Sequence, residues 1–151
     1  MGNVASFERM FEDCTAFNGD VGHFDMSGAT TLKHMFRGCS SFSQDLPRAA
    51  AWITNNVLNF EGMFMDCSNF NGDITNWRTE SATNMMLMFS GCTSFNQNVG
   101  ASNVAGVEVW DVGNVTDMRY MFAGCTNFNN GGSNLISNWD TSSVTRMGSM
   151  F

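Results

Sequence analysis

Charge is what this sequence has least of. Lys, Arg, Asp and Glu together make up only 14% of the 151 residues, about half the usual share, so the polar surface falls to Asn, Ser, Thr and Gly. The 7 Lys and Arg are outnumbered by 14 Asp and Glu, the net charge is −7, and no stretch of the sequence clusters the basic residues. A phosphate backbone would be repelled, which excludes nucleic acid as the expected partner. Long apolar runs are also missing, so no transmembrane segment is expected, and the start MGNVASFERMF lacks the basic head and apolar stretch of a signal peptide. Proline and tyrosine occur once each, and leucine is sparse.

In their place stand 14 Phe and 13 Met, and these repeat. The motif MFxxCxxF occurs as MFEDCTAF (10–17), MFRGCSSF (35–42), MFMDCSNF (63–70), MFSGCTSF (88–95) and MFAGCTNF (121–128), and a sixth copy begins at Met150. Successive MF phenylalanines are 25, 28, 25, 33 and 29 residues apart. From the second Phe of a motif to the next Trp (Phe24 in the first repeat) the distance varies as 7, 10, 7, 15 and 11, whereas from that aromatic to the next MF it is always 11. Insertions of 3, 8 and 4 residues are thus confined to one loop per repeat, as stacked coils held in register require. All 14 Phe, 4 Trp and 5 Cys fall in repeat columns, which leaves almost no large apolar side chain for a dedicated pocket.

Within one repeat, Val115, Met118, Met121, Phe122 and Cys125 follow helical spacing, so a short amphipathic helix is predicted there, with Asn114 or Thr116 at its start and Gly124 near its end. The segments FDM (24–26), WIT (52–54), WRT (77–79), WDV (110–112) and WDT (139–141) alternate inward and outward, which predicts a very short strand. Stacked, these strands would form a parallel sheet. The Asn after each motif, Asn18, Asn71, Asn96 and Asn129 (Ser43 in repeat two), is expected to build a polar ladder. The expected fold is therefore an α/β repeat solenoid of leucine-rich-repeat-like coils of about 25 residues, each with one short strand and one short helix. The predicted repeats are 3–27, 28–55, 56–80, 81–113, 114–142 and a partial 143–151.

Three stretches carry a family resemblance: FNGDITNW (70–77), WDVGNVTDMRYMFAGCTNFN (110–129) and SNWDTSSVTRMGSMF (137–151). They are similar to the BspA-type leucine-rich-like repeats, also called DUF285 or the mycoplasma surface-protein repeat. Repeat two departs most, with Leu32 for Met, Ala29 for Val and LPRAAAW before its end, so local irregularity is expected there. The resemblance implies surface proteins and adhesion, without implying a ligand.

The five cysteines, one per repeat and without a CxxC pair, read as a column of small buried thiols. His23 and His34 read as surface residues. Asp20, Asp45 and Asp73 share one column, and Asp25, Asp111 and Asp140 another. Stacked carboxylates suit calcium, and the competing reading is turn chemistry. No acid–base pair, nucleophile set or cofactor fingerprint is present, so an enzyme is not expected, and neither a cofactor nor a metal is assigned.

Recognition is expected where the repeat leaves residues free: His23, Asp25, Ile53, Asn76, Arg78, Val109, Asp111, Asn138 and Asp140, which flank the inward aromatics, and the inserts 47–51, 97–109 and 129–137. The expected function is a non-catalytic binding or adhesion module for a protein or glycan, at a cell or virion surface or otherwise extracellular. The alternative is a structural spacer or a subunit packed among neighbouring subunits. Because Phe151 stops within a predicted helix, the chain is expected to be part of a longer polypeptide or to be covered at its ends by another subunit.

Overall fold

A computed structural model describes residues 4–47, 52–104 and 106–151. The repeats lie one upon another. Phe11, Phe36, Phe64, Phe89, Phe122 and Phe151 form one continuous column, with ring centroids 5.5, 5.7, 5.7, 5.6 and 5.6 Å apart. A second column runs through Phe17, Phe42, Phe70, Phe95 and Phe128 at 5.8–5.9 Å. Within each coil the two rings stack at 4.0–4.2 Å. Each offset-stacked pair adds about 0.5–1.5 kcal/mol beyond its buried area, so the ladder is the main axis of cohesion.

The tryptophans are joined both by stacking, Trp52 on Trp77 at 5.8 Å and Trp77 on Trp110 at 6.3 Å, and by their indoles. The Nε1–H groups of Trp52, Trp77, Trp110 and Trp139 donate to the carbonyls of Val21, Leu46, Ile74 and Val99 at 3.2, 2.7, 3.0 and 2.9 Å. A buried indole needs such a partner. The Asn ladder is present too: Asn18, Asn71 and Asn96 each accept from the amide of their counterpart one coil later, Ser43, Asn96 and Asn129, at 3.0, 2.8 and 2.8 Å. Repeat two keeps the register, with Ala29 and Leu32 fully buried in their columns, and of its insert 47–51 residues 48–51 lie outside the described residues.

The predicted secondary structure is overturned. Among the described residues there is no α-helix, and the only sheet is a two-stranded antiparallel hairpin, β1 (Ser102–Val104) with β2 (Val107–Val109). The chain is thus not an α/β solenoid with a parallel sheet.

Where a helix was expected, backbone amides alternate between two destinations. In the first coil Phe7, Arg9, Phe11 and Asp13 donate to the carbonyls of Thr31, Lys33, Met35 and Arg37 in the next coil, while Met10, Glu12 and Cys14 donate back three residues to Phe7, Arg9 and Phe11. An α-helix needs every amide to bond four residues back, so it cannot coexist with this pattern. Two left-handed residues per coil make the alternation possible. One precedes the MF methionine, at Arg9, His34, Gly62, Leu87, Tyr120 and Ser149, with φ between 52° and 60°. The other precedes the cysteine, at Asp13, Gly38, Asp66, Gly91 and Gly124, with φ between 59° and 76°.

The expected strands are short links between turns. Phe24, Trp77 and Trp139 donate three residues back to Val21, Ile74 and Ile136, and Ala29, Val57, Ala82, Val115 and Val144 close the next turn in the same way. Coil-to-coil bonding in this segment comes from the buried hydroxyls of Thr54 and Thr79, which donate to the carbonyls of Arg78 and Asp111 at 2.8 and 2.6 Å, and from one backbone bond, Trp110 amide to Trp77 carbonyl at 3.0 Å. Parallel pairing survives only as single bridges in another column, Ser6–Thr31–Asn59–Asn84–Asp117–Arg146. The inserts hold the remaining elements, the β1–β2 hairpin and two 3-10 turns, Asn130–Gly132 and Leu135–Asn138.

Candidate interaction surface

The cysteine column is structural. The thiols of Cys39, Cys67, Cys92 and Cys125 donate to the carbonyls of Phe11, Phe36, Phe64 and Phe89, one coil earlier, at 3.0, 2.9, 2.8 and 2.9 Å. All five cysteines are free; Cys39, Cys67 and Cys92 are buried, whereas Cys14 in the first coil is exposed. Burial pushes the thiols of Cys39 and Cys125 up to about 11 and raises those of Cys67 and Cys92 as well. A nucleophilic thiol would need the opposite shift.

The residues flanking the inward aromatics follow one another from coil to coil, because the Trp stack and the Thr54 and Thr79 hydroxyls set their register. His23, Asp25, Ile53, Asn76, Asn138 and Asp140 are exposed, as expected. Arg78 is half-buried and paired with Glu80. Val109 is a correction: it is 2% exposed, because β2 turns its side chain inward beside Trp110.

The carboxylates on this line shape turns. Asp25 accepts from the amide and hydroxyl of Ser27 at 3.0 and 2.6 Å, Asp111 from the amide of Gly113 at 2.8 Å, and Asp140 from the amide of Ser142 at 3.0 Å. These bonds hold the Asp25 and Asp140 carboxyls below the usual range, through the Ser27 hydroxyl first for Asp25 and the Ser142 amide first for Asp140. In the other Asp column, Asp20 accepts from the amide of Gly22 at 2.7 Å, Asp73 from that of Thr75 at 2.9 Å, and Asp45 from that of Asp73 at 2.8 Å. Among the described residues, no three His, Cys, Asp or Glu side chains converge on a point a metal ion would occupy.

A second face escaped sequence reasoning. The outward positions around the first left-handed column gather Arg9, Lys33, Arg37, Arg119 and Arg146, five of the seven basic residues of the chain, with Glu8, Glu12, Glu61 and Asp117 as their acidic partners. In sequence these basic residues are scattered; the stacking period brings them together. The clue available was that all five lie within four residues before or two after an MF methionine position.

At one end of this face His34 sits between two carboxylates from neighbouring coils, Glu12 Oε1 at 3.9 Å from Nδ1 and Glu61 Oε1 at 3.8 Å from Nε2. Its side chain is 12% exposed, which corrects its reading as a surface residue. Arg37 and Arg9 hold Glu12 at 2.9 and 3.2 Å, and Lys33 holds Glu61 at 3.0 Å. Burial, followed by the cations Lys33, Arg37 and Arg9 against an opposing pull from Glu61, holds His34 below the ordinary imidazole value. At the other end Arg119 grips Asp117 through Nε at 3.0 Å and Nη2 at 2.7 Å, and Arg146 approaches the same carboxylate at 3.6 Å. The Asp117 carboxyl is accordingly held below its usual range, by the Arg119 bonds first.

The family model for "Mycoplasma protein of unknown function, DUF285" matches residues 5–108 and 100–151. The chain belongs to this family. The match spans nearly every coil described above, in agreement with the resemblance read from the motifs. No curated protein and no solved structure matches the chain. Among the described residues, no helix is long and apolar enough to cross a membrane.

Proposed function

We propose that this DUF285 chain is a non-catalytic binding or adhesion module, displayed at a cell or virion surface, that engages a protein or glycan partner through its outward columns and inserts. One observation carries this reading: the inward columns are occupied by stacking, coil after coil, while chemical variety is confined to residues that face outward. A rigid scaffold that varies only on its surface suits recognition. The thiols, raised by burial and engaged with carbonyls, do not favour nucleophilic chemistry.

The test is binding by the 151-residue chain to a printed glycan array and, coupled to beads, to cultured cells. Saturable binding that falls at least tenfold on substitution of outward residues (Ile53→Ser, Asn76→Asp or Arg78→Ala on one face, Arg119→Ala on the other) with an unchanged melting temperature supports the module. Failure to bind, or binding indifferent to substitution on both faces, favours the spacer reading instead.

A further inference from the structure

We infer that the C-terminal part of the turn face, centred on Tyr120 with Arg119 and Arg146 beside it, is a binding site for an anionic saccharide; this rests on the binding-module reading and gives it a ligand class. Tyr120 is the single tyrosine of the chain, and it stands at a left-handed position, φ 58°. A residue with a β-carbon pays roughly 1–2 kcal/mol there, which Gly or Asn would largely avoid. The ring does not recover that cost in the core, since the residue is 45% exposed. The left-handed φ belongs to the coil, since Arg9, His34, Leu87 and Ser149 share it, and what is particular to Tyr120 is that the column here presents a half-exposed aromatic, as a binding group would be presented.

The charges around it have the matching character. Asp117 holds the Arg119 guanidinium by two nitrogens, and Nη2 also rests on Met86 Sδ at 3.3 Å, so the group is fixed while its side chain stays 39% exposed. Arg146 shares that one carboxylate and is 65% exposed. Glu61 also acts on Arg119 but is held by Lys33 at 3.0 Å, so two guanidinium groups against Asp117 leave a positive excess beside Tyr120. The chain as a whole is −7, so most of its remaining surface repels an anion, which is therefore admitted chiefly here.

The partner these features fit is a sugar bearing carboxylate or sulfate. Its C–H face stacks on a flat exposed ring, and its acid group meets guanidinium N–H donors, which pair with planar oxyanions. A peptide adding as a strand would need free backbone donors, but the amides of Met118, Tyr120 and Phe122 already donate to Arg146, Gly148 and Met150.

The experiment titrates the 151-residue chain with hyaluronan (carboxylate), heparin (sulfate), dextran (neutral) and poly-L-glutamate at two salt concentrations. The expected result is binding to hyaluronan or heparin and neither dextran nor poly-L-glutamate, the preferred polymer telling which acid group is read. Arg119→Ala and Arg146→Ala should each weaken it about tenfold. Tyr120→Gly should abolish it while leaving the melting temperature at or above that of the unmodified chain, an outcome a merely structural tyrosine would not give. Equal binding by these variants, equal binding to poly-L-glutamate, or no binding to either anionic sugar overturns the site. Binding to another glycan that the variants retain overturns the site while leaving the module reading standing.

Discussion

The carboxylate of Asp13 lies directly over Gly38 of the next coil, so closely that a β-carbon at Gly38 would fall 2.4 Å from Asp13 Oδ1. Asp66 and Gly91 repeat the relationship two coils on, at 2.5 Å. In this column an Asp is therefore tolerated only where the following coil supplies glycine. Gly38→Ala combines the collision with left-handed strain at φ 73° and is expected to cost about 2–3 kcal/mol. Adding Asp13→Gly should recover the collision and leave roughly 1 kcal/mol from the backbone. Urea unfolding of the two single variants and the double variant measures both parts. Additive losses in the double variant would contradict the contact.

The thiol column makes stability fall at alkaline pH. In the unfolded chain a cysteine ionises near about 8.5, whereas Cys39 and Cys125 stay protonated in the fold up to about 11. Folded thiols raised in this way contribute stability that is complete below the unfolded value and is lost as pH rises through the folded one. Unfolding midpoints should thus decline between those limits, and Cys39→Ala with Cys125→Ala should flatten the decline. In alkylation at neutral pH, Cys14, the exposed member, should react first, as peptide mapping would show.

His34 acts in the opposite direction. Its folded value is depressed, with burial as the first cause, so its contribution is present above the ordinary value near about 6.5 and is lost as pH falls through the folded value. His34→Asn keeps a residue that accepts φ 54° and removes the titration. Thermal melts from pH 7 to pH 5 should show the unmodified chain losing stability faster than the variant. Parallel curves would remove His34 from the account.

The register was legible because it is written in large side chains at fixed distances: the Phe columns, the Trp column and the Asn ladder fall where counting placed them. The backbone that carries them was not. Apolar residues three and four apart mark a helix, but consecutive three-residue turns present the same residues to the core. What separates the two is where the amide of Phe11 goes, and that depends on Met35 in another coil. The local sign was the alternation of Asp and Gly before the cysteines, Asp13, Gly38, Asp66, Gly91, Gly124, residues that accept left-handed φ; Gly124 alone passes for a helix end. Val109 was misplaced for a similar reason, since pairing with Ser102 within the insert sets its direction. Arg119 and Arg146, 27 positions apart, come together only once the residues between them are wound into a coil.

On the turn face, amides such as those of Thr30, Leu58, Thr83, Thr116 and Thr145 donate back to the preceding coil, but the alternate amides that follow, as with Phe7, Arg9, Phe11 and Asp13, all donate to the coil that comes next in sequence. On a ribosome, then, each newly emerged coil holds these donors open until the next is made. Folding trails synthesis by one repeat, about 25 residues at the base spacing. The growing edge of the nascent chain is always a row of unpaired N–H groups over bare phenylalanine, and that edge is the surface a chaperone would meet.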